Sequence, residues 1–408
     1  MIVPGAMSSG GQDQFKTMVL EVAKTPTDRL RGIAIIGEIM DKDAALKLLD
    51  DFEKAELPDD LQRDAQLLRR IYRDGPEALN AGQRKRLIER HEWFGQLAVS
   101  SGRADDDPLR RAALLPARRT VAALALAVVG GFFAFLAGLG LLIFFIVKLS
   151  TGKRPQLVSH YGPPIPYREI ELVPAPTPIH YAPDPQSPPF YLQAFAIYLA
   201  GFVGVGVLMR LIWPSGGLGA EIAAGAFAVT LAIIWPRLRG LPWKKLRHDL
   251  GWYSDRGWAK EVVCGVAGWL AMLPVLALAV IVTILLARVA GGKAPSHPIM
   301  GEMQFDAWGI IKLYLLASVW APITEETLFR GVFFHHLRRK NGWFLSAIVV
   351  SIIFAAIHPQ GLLGVPALMT IAMMLAALRQ WRGSLIAPMV AHALHNSVLI
   401  TILILVMA

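Results

Sequence analysis

The sequence is poor in cysteine, in charged residues and, over its second half, in negative charge, and each shortage excludes something. Only 18% of the 408 residues are charged, whereas 54% are hydrophobic. This balance excludes a disordered chain and a single soluble globular protein. The one cysteine, Cys264, excludes an intrachain disulfide. The composition therefore predicts a membrane protein.

The positive charge of the chain is unevenly distributed. The formal net charge is +10, but residues 1–120 hold 20 basic and 20 acidic residues and are neutral. Residues 121–408 hold 21 basic residues and only 11 acidic ones. Basic connections beside apolar segments are typical of proteins that meet lipid headgroups. A nucleic-acid partner would need a soluble basic face, which the sequence does not show.

Three regions follow one another along the chain. Residues 1–120 form a charged helical region, in which apolar residues over 14–100 recur at a spacing that predicts four or five short amphipathic helices. Residues 121–190 contain a first transmembrane helix and a linker with eleven prolines, a composition typical of an extended segment. Residues 191–408 form an apolar core.

The predicted fold class is all-α: a polytopic membrane helix bundle of about eight transmembrane helices, with an N-terminal soluble helical region. The chain should cross the cell membrane several times. The predicted spans are 121–149, Tyr191–Ile212, Gly217–Trp235, Val262–Val289, Trp308–Phe334, Phe344–His358, Leu362–Trp381 and Leu385–Met407.

Two carboxylates lie where a membrane span should have none. Glu325 and Glu326 sit inside the apolar segment LLASVWAPITEETLFRGVFF, and Arg330 follows Glu326 at the spacing of a helical ion pair. A buried structural ion pair between Glu326 and Arg330 would explain why an arginine lies in this apolar segment. It leaves Glu325 as a surplus carboxylate, which in a low-dielectric setting can accept a proton near neutral pH.

Two later spans carry histidines that could reach the same layer. Phe354 and His358 are four residues apart on one segment, and His392 and Asn396 are four apart on another, so each pair shares a helix face. Counted along ideal helices from the intervening loops, Glu325 and His358 lie about 22 and 24 Å deep, and His392 and Asn396 about 14 and 20 Å. The four groups are therefore expected to converge.

This set of residues predicts hydrolysis without a serine or cysteine nucleophile. Glu325 with His358 can deprotonate a water for attack on a carbonyl, and His392 with Asn396 can donate to the resulting oxyanion. No cofactor is required. A metal site with glutamate and histidine ligands is the competing interpretation, but the HExxH signature is absent and asparagine is a poor zinc ligand.

The three motifs together resemble those of a known family, the CAAX prenyl protease and bacteriocin-processing (CPBP, ABI) intramembrane glutamic endopeptidases. The motifs are EExxxR at 325–330, FxxxH at 354–358 and HxxxN at 392–396, and the likeness extends over about 245–400. The resemblance implies that the catalytic residues are Glu325, His358, His392 and Asn396, with Glu326, Arg330 and Phe354 supporting them and no metal.

The resemblance implies an intramembrane endopeptidase of CAAX type, a hydrolase that acts on a membrane-associated peptide or protein, whether lipidated or not. Its partners would be this substrate and the lipid bilayer, with no nucleic acid. The alternatives are a non-catalytic membrane scaffold or immunity protein on the same fold, a metal-dependent variant of the protease, and a proton or ion transporter that uses Glu325 and Glu326.

Overall fold

The computed structural model describes residues 9–151, 189–212, 217–289 and 307–407. Within these ranges the chain forms fifteen helices, α1 to α15, and no strand, so the predicted all-α class is confirmed. The predicted proline-rich linker falls almost wholly outside the described residues. The chain divides into two units, Met1–Ala125 and Leu126–Ala408.

The first unit contains six short helices and the beginning of a long one. The sequence predicted four or five; it missed how far helical structure extends toward the N-terminus. Side-chain caps stabilise the N-termini of several helices: Thr25 and Asp28 form a capping box, as do Asn80 and Gln83. The helices are α1 Ser9–Val22, α2 Pro26–Ile39, α3 Lys42–Glu53, α4 Asp59–Asp74, α5 Ala81–His91, α6 Trp93–Val99 and α7 Pro108–Thr151.

The carboxylate of Asp64 lies in the interior of this first unit. Asp64 on α4 is fully buried, and its two oxygens accept hydrogen bonds of 2.7 Å each from Arg86 and Arg90 on α5. The ring of His91 lies 3.2 Å from the same carboxylate. Burial raises the pKa of Asp64, but the hydrogen bonds with His91 and Arg86 outweigh it, so the pKa lies below its usual range.

The second unit is built from apolar helices at all eight predicted positions. Among the residues that the structure describes, five helices are long and apolar enough to cross a bilayer: Pro108–Val147 within α7, Trp258–Val289, Ala307–Arg338, Gly361–Arg382 and Ile386–Leu405. Three more are shorter: Phe190–Val205, Gly225–Leu238 and Trp343–Ala356. The chain is an integral multi-pass membrane protein.

The helices of the second unit are numbered in chain order after α7. Between the apolar helices lies one short amphipathic helix, α10. The bounds are α8 Phe190–Ile212, α9 Gly217–Leu238, α10 Trp243–Leu250, α11 Trp258–Val289, α12 Ala307–Arg338, α13 Trp343–Ala356, α14 Gly361–Arg382 and α15 Ile386–Met407.

Large apolar side chains point outward along these helices, as expected for surfaces that meet lipid. Leu278 and Val289 on α11 and Leu362 on α14 are among the most exposed. Glycines let α11 approach its neighbours closely. A Cβ added to Gly265 would lie 2.7 Å from the carbonyl oxygen of Ala387 on α15, and small residues at such crossings are characteristic of membrane bundles.

Helix α12 carries both acidic residues and departs from regular α-helical geometry twice. Leu315–Trp320 and Glu326–Phe333 are π-helical, and such widened turns are frequent at functional sites. Between them stands Pro322, which has no N–H and whose ring would clash with the carbonyl four residues earlier in a regular helix. The first widened turn accommodates that ring, since the Ala321 N–H donates five residues back, to Leu316.

Candidate active site

Three helical segments of the second unit supply the predicted site residues. Glu325 and Glu326 lie on α12, between and at the start of its widened turns; His358 lies in the turn that follows α13; His392 lies on α15. Short connections after α12 and α13 keep these segments adjacent. Residues 66 positions apart, Glu326 and His392, are thereby hydrogen-bonded.

Glu325 faces both histidines without a hydrogen bond to either. Its Oε2 atom lies 4.0 Å from Nε2 of His358 and 3.9 Å from Nε2 of His392. This oxygen is buried, and none of the described residues donates a hydrogen bond to it. A buried carboxylate oxygen without a donor is unusual, because desolvation of such a group is costly unless a partner compensates for it.

Glu326 is partnered on two sides. Its Oε1 atom accepts a hydrogen bond of 3.0 Å from the guanidinium of Arg330 and lies 2.9 Å from Nδ1 of His392. Glu326 and Arg330 are both fully buried. Arg330 also donates to the carbonyl of Ala372 on α14, at 3.1 Å, and its guanidinium lies 4.8 Å from the ring centre of Phe354. The pair is charge-neutral, so Glu325 carries the unbalanced charge of the site.

The orientation of His358 is determined by its own segment. Nδ1 lies 2.5 Å from the carbonyl oxygen of Phe354, which can only accept, so Nδ1 carries the proton. The imidazole also packs on the Phe354 ring, with centroids 4.1 Å apart. In the neutral ring, Nε2 is then an acceptor that points at Glu325.

Asn396 lies on the same helix as His392, but its side chain is hydrogen-bonded to the backbone of α12. Its Nδ2 donates to the carbonyl of Ala317 at 2.6 Å. In a regular helix this carbonyl would accept from Ala321, and in a π-turn from residue 322. Ala321 donates to Leu316 instead, and Pro322 has no N–H, so Asn396 supplies the missing donor. One amide hydrogen of Asn396 remains for another acceptor.

Pro322, Ala317 and Ala372 contribute to the site through their backbones and were absent from the sequence-based set. A proline within an otherwise apolar span was the available signal for Pro322, since it predicts a local break in the hydrogen-bond ladder. Ala317 and Ala372 carry no signal, because any residue supplies a carbonyl. Among the described residues, no group of three or more His, Cys, Asp and Glu side chains has an arrangement suited to a metal ion.

Comparison with known proteins relates this region to a family. Residues 307–398 match the family described as Type II CAAX prenyl endopeptidase Rce1-like. The chain is also 32% identical over 110 residues to an uncharacterized 24.3 kDa protein of Escherichia coli. That alignment covers 25% of this chain and 51% of the relative, so the chain spans about half the length of that relative. No solved structure matches the chain.

Proposed function

Because residues 307–398 match the Rce1-like family of type II CAAX prenyl endopeptidases, we propose that this chain hydrolyses a peptide bond of a membrane-associated substrate. The reaction uses a water activated by Glu325 and His358. One observation carries the proposal: a buried carboxylate oxygen of Glu325 lacks a protein donor and lies about equally far from two imidazole nitrogens.

The gap between Glu325 and His358 suits one water. Both Oε2 of Glu325 and Nε2 of His358 are acceptors, so a single water can direct one hydrogen to each. Two hydrogen bonds of about 2.8 Å can meet across such a gap at roughly a right angle. Both hydrogens of the water are then engaged, and a lone pair of its oxygen is free to face a carbonyl carbon.

The proposed reaction proceeds through a tetrahedral intermediate. The water oxygen bonds to the carbonyl carbon of the substrate while Glu325 takes one proton, and the C=O electron pair moves onto the oxygen. The intermediate collapses when the C–N bond breaks. The departing nitrogen takes the proton held by Glu325, which leaves a carboxylic acid, an amine and the original carboxylate.

His392 and Asn396 are the proposed donors to the oxyanion. The resemblance at the third motif supports this role, and the local hydrogen bonds define its conditions. Because Nδ1 of His392 faces the carboxylate of Glu326, the ring donates from Nε2 only when it is doubly protonated. Asn396 donates with the amide hydrogen that Ala317 does not occupy.

The test is cleavage by the full-length protein in liposomes. The substrates are membrane-anchored peptides ending in a CAAX sequence, each made with and without a prenyl group. We expect Glu325→Gln, which keeps the shape of the side chain but removes the base, to lower the rate about 10²- to 10⁴-fold. The matched control is Glu56→Gln, the same exchange at an exposed glutamate of the first unit, which should leave cleavage unchanged.

Three outcomes would contradict the proposal. Cleavage by Glu325→Gln at the wild-type rate would exclude the carboxylate as the base. A cellular phenotype supported equally by the wild type and Glu325→Gln, with no cleavage by either, would instead indicate the non-catalytic scaffold or immunity protein. Loss of cleavage on chelation, reversed by added zinc, would indicate the metal-dependent variant.

A further inference from the structure

A cavity of ≈ 570 Å³ opens where α11 begins and α14 ends. The cavity is open to the protein surface. The end of α14 is tied to the end of α12 by a 2.9 Å hydrogen bond from Arg338 to Gln380. Since Glu325 lies thirteen residues before Arg338 on α12, the cavity and the candidate active site are roughly 15–20 Å apart along the helix axis. It is lined by Asp255, Arg256, Ala259, Lys260, Val263, Cys264 and Arg382.

The surroundings place this cavity at the depth of lipid headgroups. The side chain of Trp258, at the first position of α11, is 65% exposed, and that of Trp243 on α10 is 48% exposed. Exposed tryptophans at helix ends are typical of the membrane–water boundary. Helix α10 buries Leu246 and Leu250 while Lys244 stays exposed, as in a helix that lies along the boundary.

The charges of the cavity leave a positive excess. Arg382 makes a bidentate pair with the buried carboxylate of Glu261, at 2.6 and 3.0 Å, so its charge is compensated and its position fixed. Arg256 and Lys260 are exposed, and no described carboxylate lies within ion-pair distance of them. Asp255 offsets one of the two, which leaves about one net positive charge.

The cavity is polar at one end and apolar at the other. Val263 and Cys264 lie one helical turn further into the membrane than Ala259 and Lys260, and the side chain of Val263 is exposed. A ligand that fits would carry one negative charge at its outer end and hydrocarbon at its inner end.

We propose that this cavity binds the phosphate of an anionic phospholipid headgroup. A phosphodiester without an ammonium group, as in phosphatidylglycerol, matches the single net positive charge. Arg256 and Lys260 contact the phosphate, and the acyl chains lie along Val263. Because a dissolved phosphate offers the same negative group without the chains, the experiment includes inorganic phosphate as a separate arm.

The reactivity of one side chain, Cys264, can report whether the cavity is occupied. Cys264 is the single cysteine of the sequence and lines the cavity. We expect phosphatidylglycerol, titrated into the full-length protein in uncharged detergent, to slow alkylation of Cys264 by a maleimide, whereas phosphatidylcholine does not. In Arg256→Gln/Lys260→Gln, half-protection should require roughly thirtyfold more phosphatidylglycerol. Native mass spectrometry of retained lipid supplies a second measurement that does not depend on thiol reactivity.

The matched control is Lys244→Gln/Arg247→Gln, which removes two exposed charges from α10 outside the cavity. In this variant, phosphatidylglycerol should protect Cys264 and be retained as in the wild type. Equal protection by phosphatidylcholine, or undiminished lipid retention in the cavity variant, overturns the proposal. Protection by inorganic phosphate alone, with the same dependence on Arg256 and Lys260, would keep a phosphate site but assign it to a soluble ligand. Since no cleavage is measured, these outcomes are independent of the proposed peptidase activity.

Discussion

Each of the two units has a buried carboxylate oxygen near a histidine, and the two carboxylates differ in the donors that they meet. Asp64 in the first unit accepts from two arginines and lies within hydrogen-bond distance of His91. Glu325 in the second unit lies near two histidines but accepts from none of the described side chains at Oε2. Similar residue types therefore produce a satisfied cluster that stabilises the fold and an unsatisfied one that can engage a water.

The largest expected effect on stability is at Arg330, which compensates the carboxylate next to Glu325. Arg330→Met should lower the free energy of unfolding by about 3–5 kcal/mol, because it leaves Glu326 buried without its cation. Denaturant unfolding in micelles measures the change. The double variant Glu326→Gln/Arg330→Met removes both charges and should recover part of the loss. Equal losses in the single and double variants would show that the charge of Glu326 does not matter.

The direct comparison of the two carboxylates is a pair of isosteric amides. Asp64→Asn should lower the free energy of unfolding by about 1–3 kcal/mol, because it weakens the hydrogen bonds from Arg86 and Arg90. The loss is limited because both arginines keep some access to water. Glu325→Gln should change stability by less than about 0.5 kcal/mol, because its Oε2 atom forms no hydrogen bond with a described residue. A larger loss for Glu325→Gln than for Asp64→Asn would reverse the comparison.

A smaller effect is expected where Asn396 compensates for Pro322. With Pro322 present, Asn396→Ala should lower the free energy of unfolding by about 1 kcal/mol, because it leaves the carbonyl of Ala317 without its side-chain donor. In a Pro322→Ala background the new N–H can pair with that carbonyl, so the same change should cost much less. A double-mutant cycle on unfolding free energies measures this coupling. Additive losses would mean that Asn396 does not act through the proline.

The smallest effect is a pH dependence of the first unit. The pKa of Asp64 is lowered in the folded protein from its ordinary value of 3.8. Its contribution to stability is therefore complete above about pH 3.8 and is lost as the pH falls through the folded pKa. Hydrogen-exchange protection of α4 and α5, followed against pH, measures this loss. Asp64→Asn should show a flatter profile in that range; an identical profile would assign the loss to other groups.

The sequence predicts the convergence of Glu325, His358 and His392 well, and the physical reason is local. Hydropathy locates the spans, short connections make them neighbours, and counting residues gives the depth of each group. The count placed His392 about 8 Å shallower than Glu325, whereas Oε2 of Glu325 and Nε2 of His392 lie 3.9 Å apart. Which side chains share a face was predictable from the period of the helix.

Other contacts were not predictable, because they depend on tertiary placement. The partner of Asn396 is a backbone carbonyl freed by a proline on another helix, and no residue pattern marks a freed carbonyl. The pair Glu261–Arg382 joins residues 121 positions apart. The cluster around Asp64 joins two helices through charged side chains that the sequence alone would place on the surface. The fold class follows from composition, whereas these contacts require the packed structure.

The widened turn at Leu315–Trp320 has a consequence for the spacing of the chain. A π-turn contains more residues than an α-turn, so Glu325 stands one position further along the helix than a regular ladder would place it. Deleting a single residue from this stretch would barely alter length or hydropathy, and the helix would still span the membrane. It would, however, close the widened turn, and the ring of Pro322 would then meet the carbonyl four residues earlier. The surplus residue therefore makes room for the proline without changing the side of the helix that Glu325 faces.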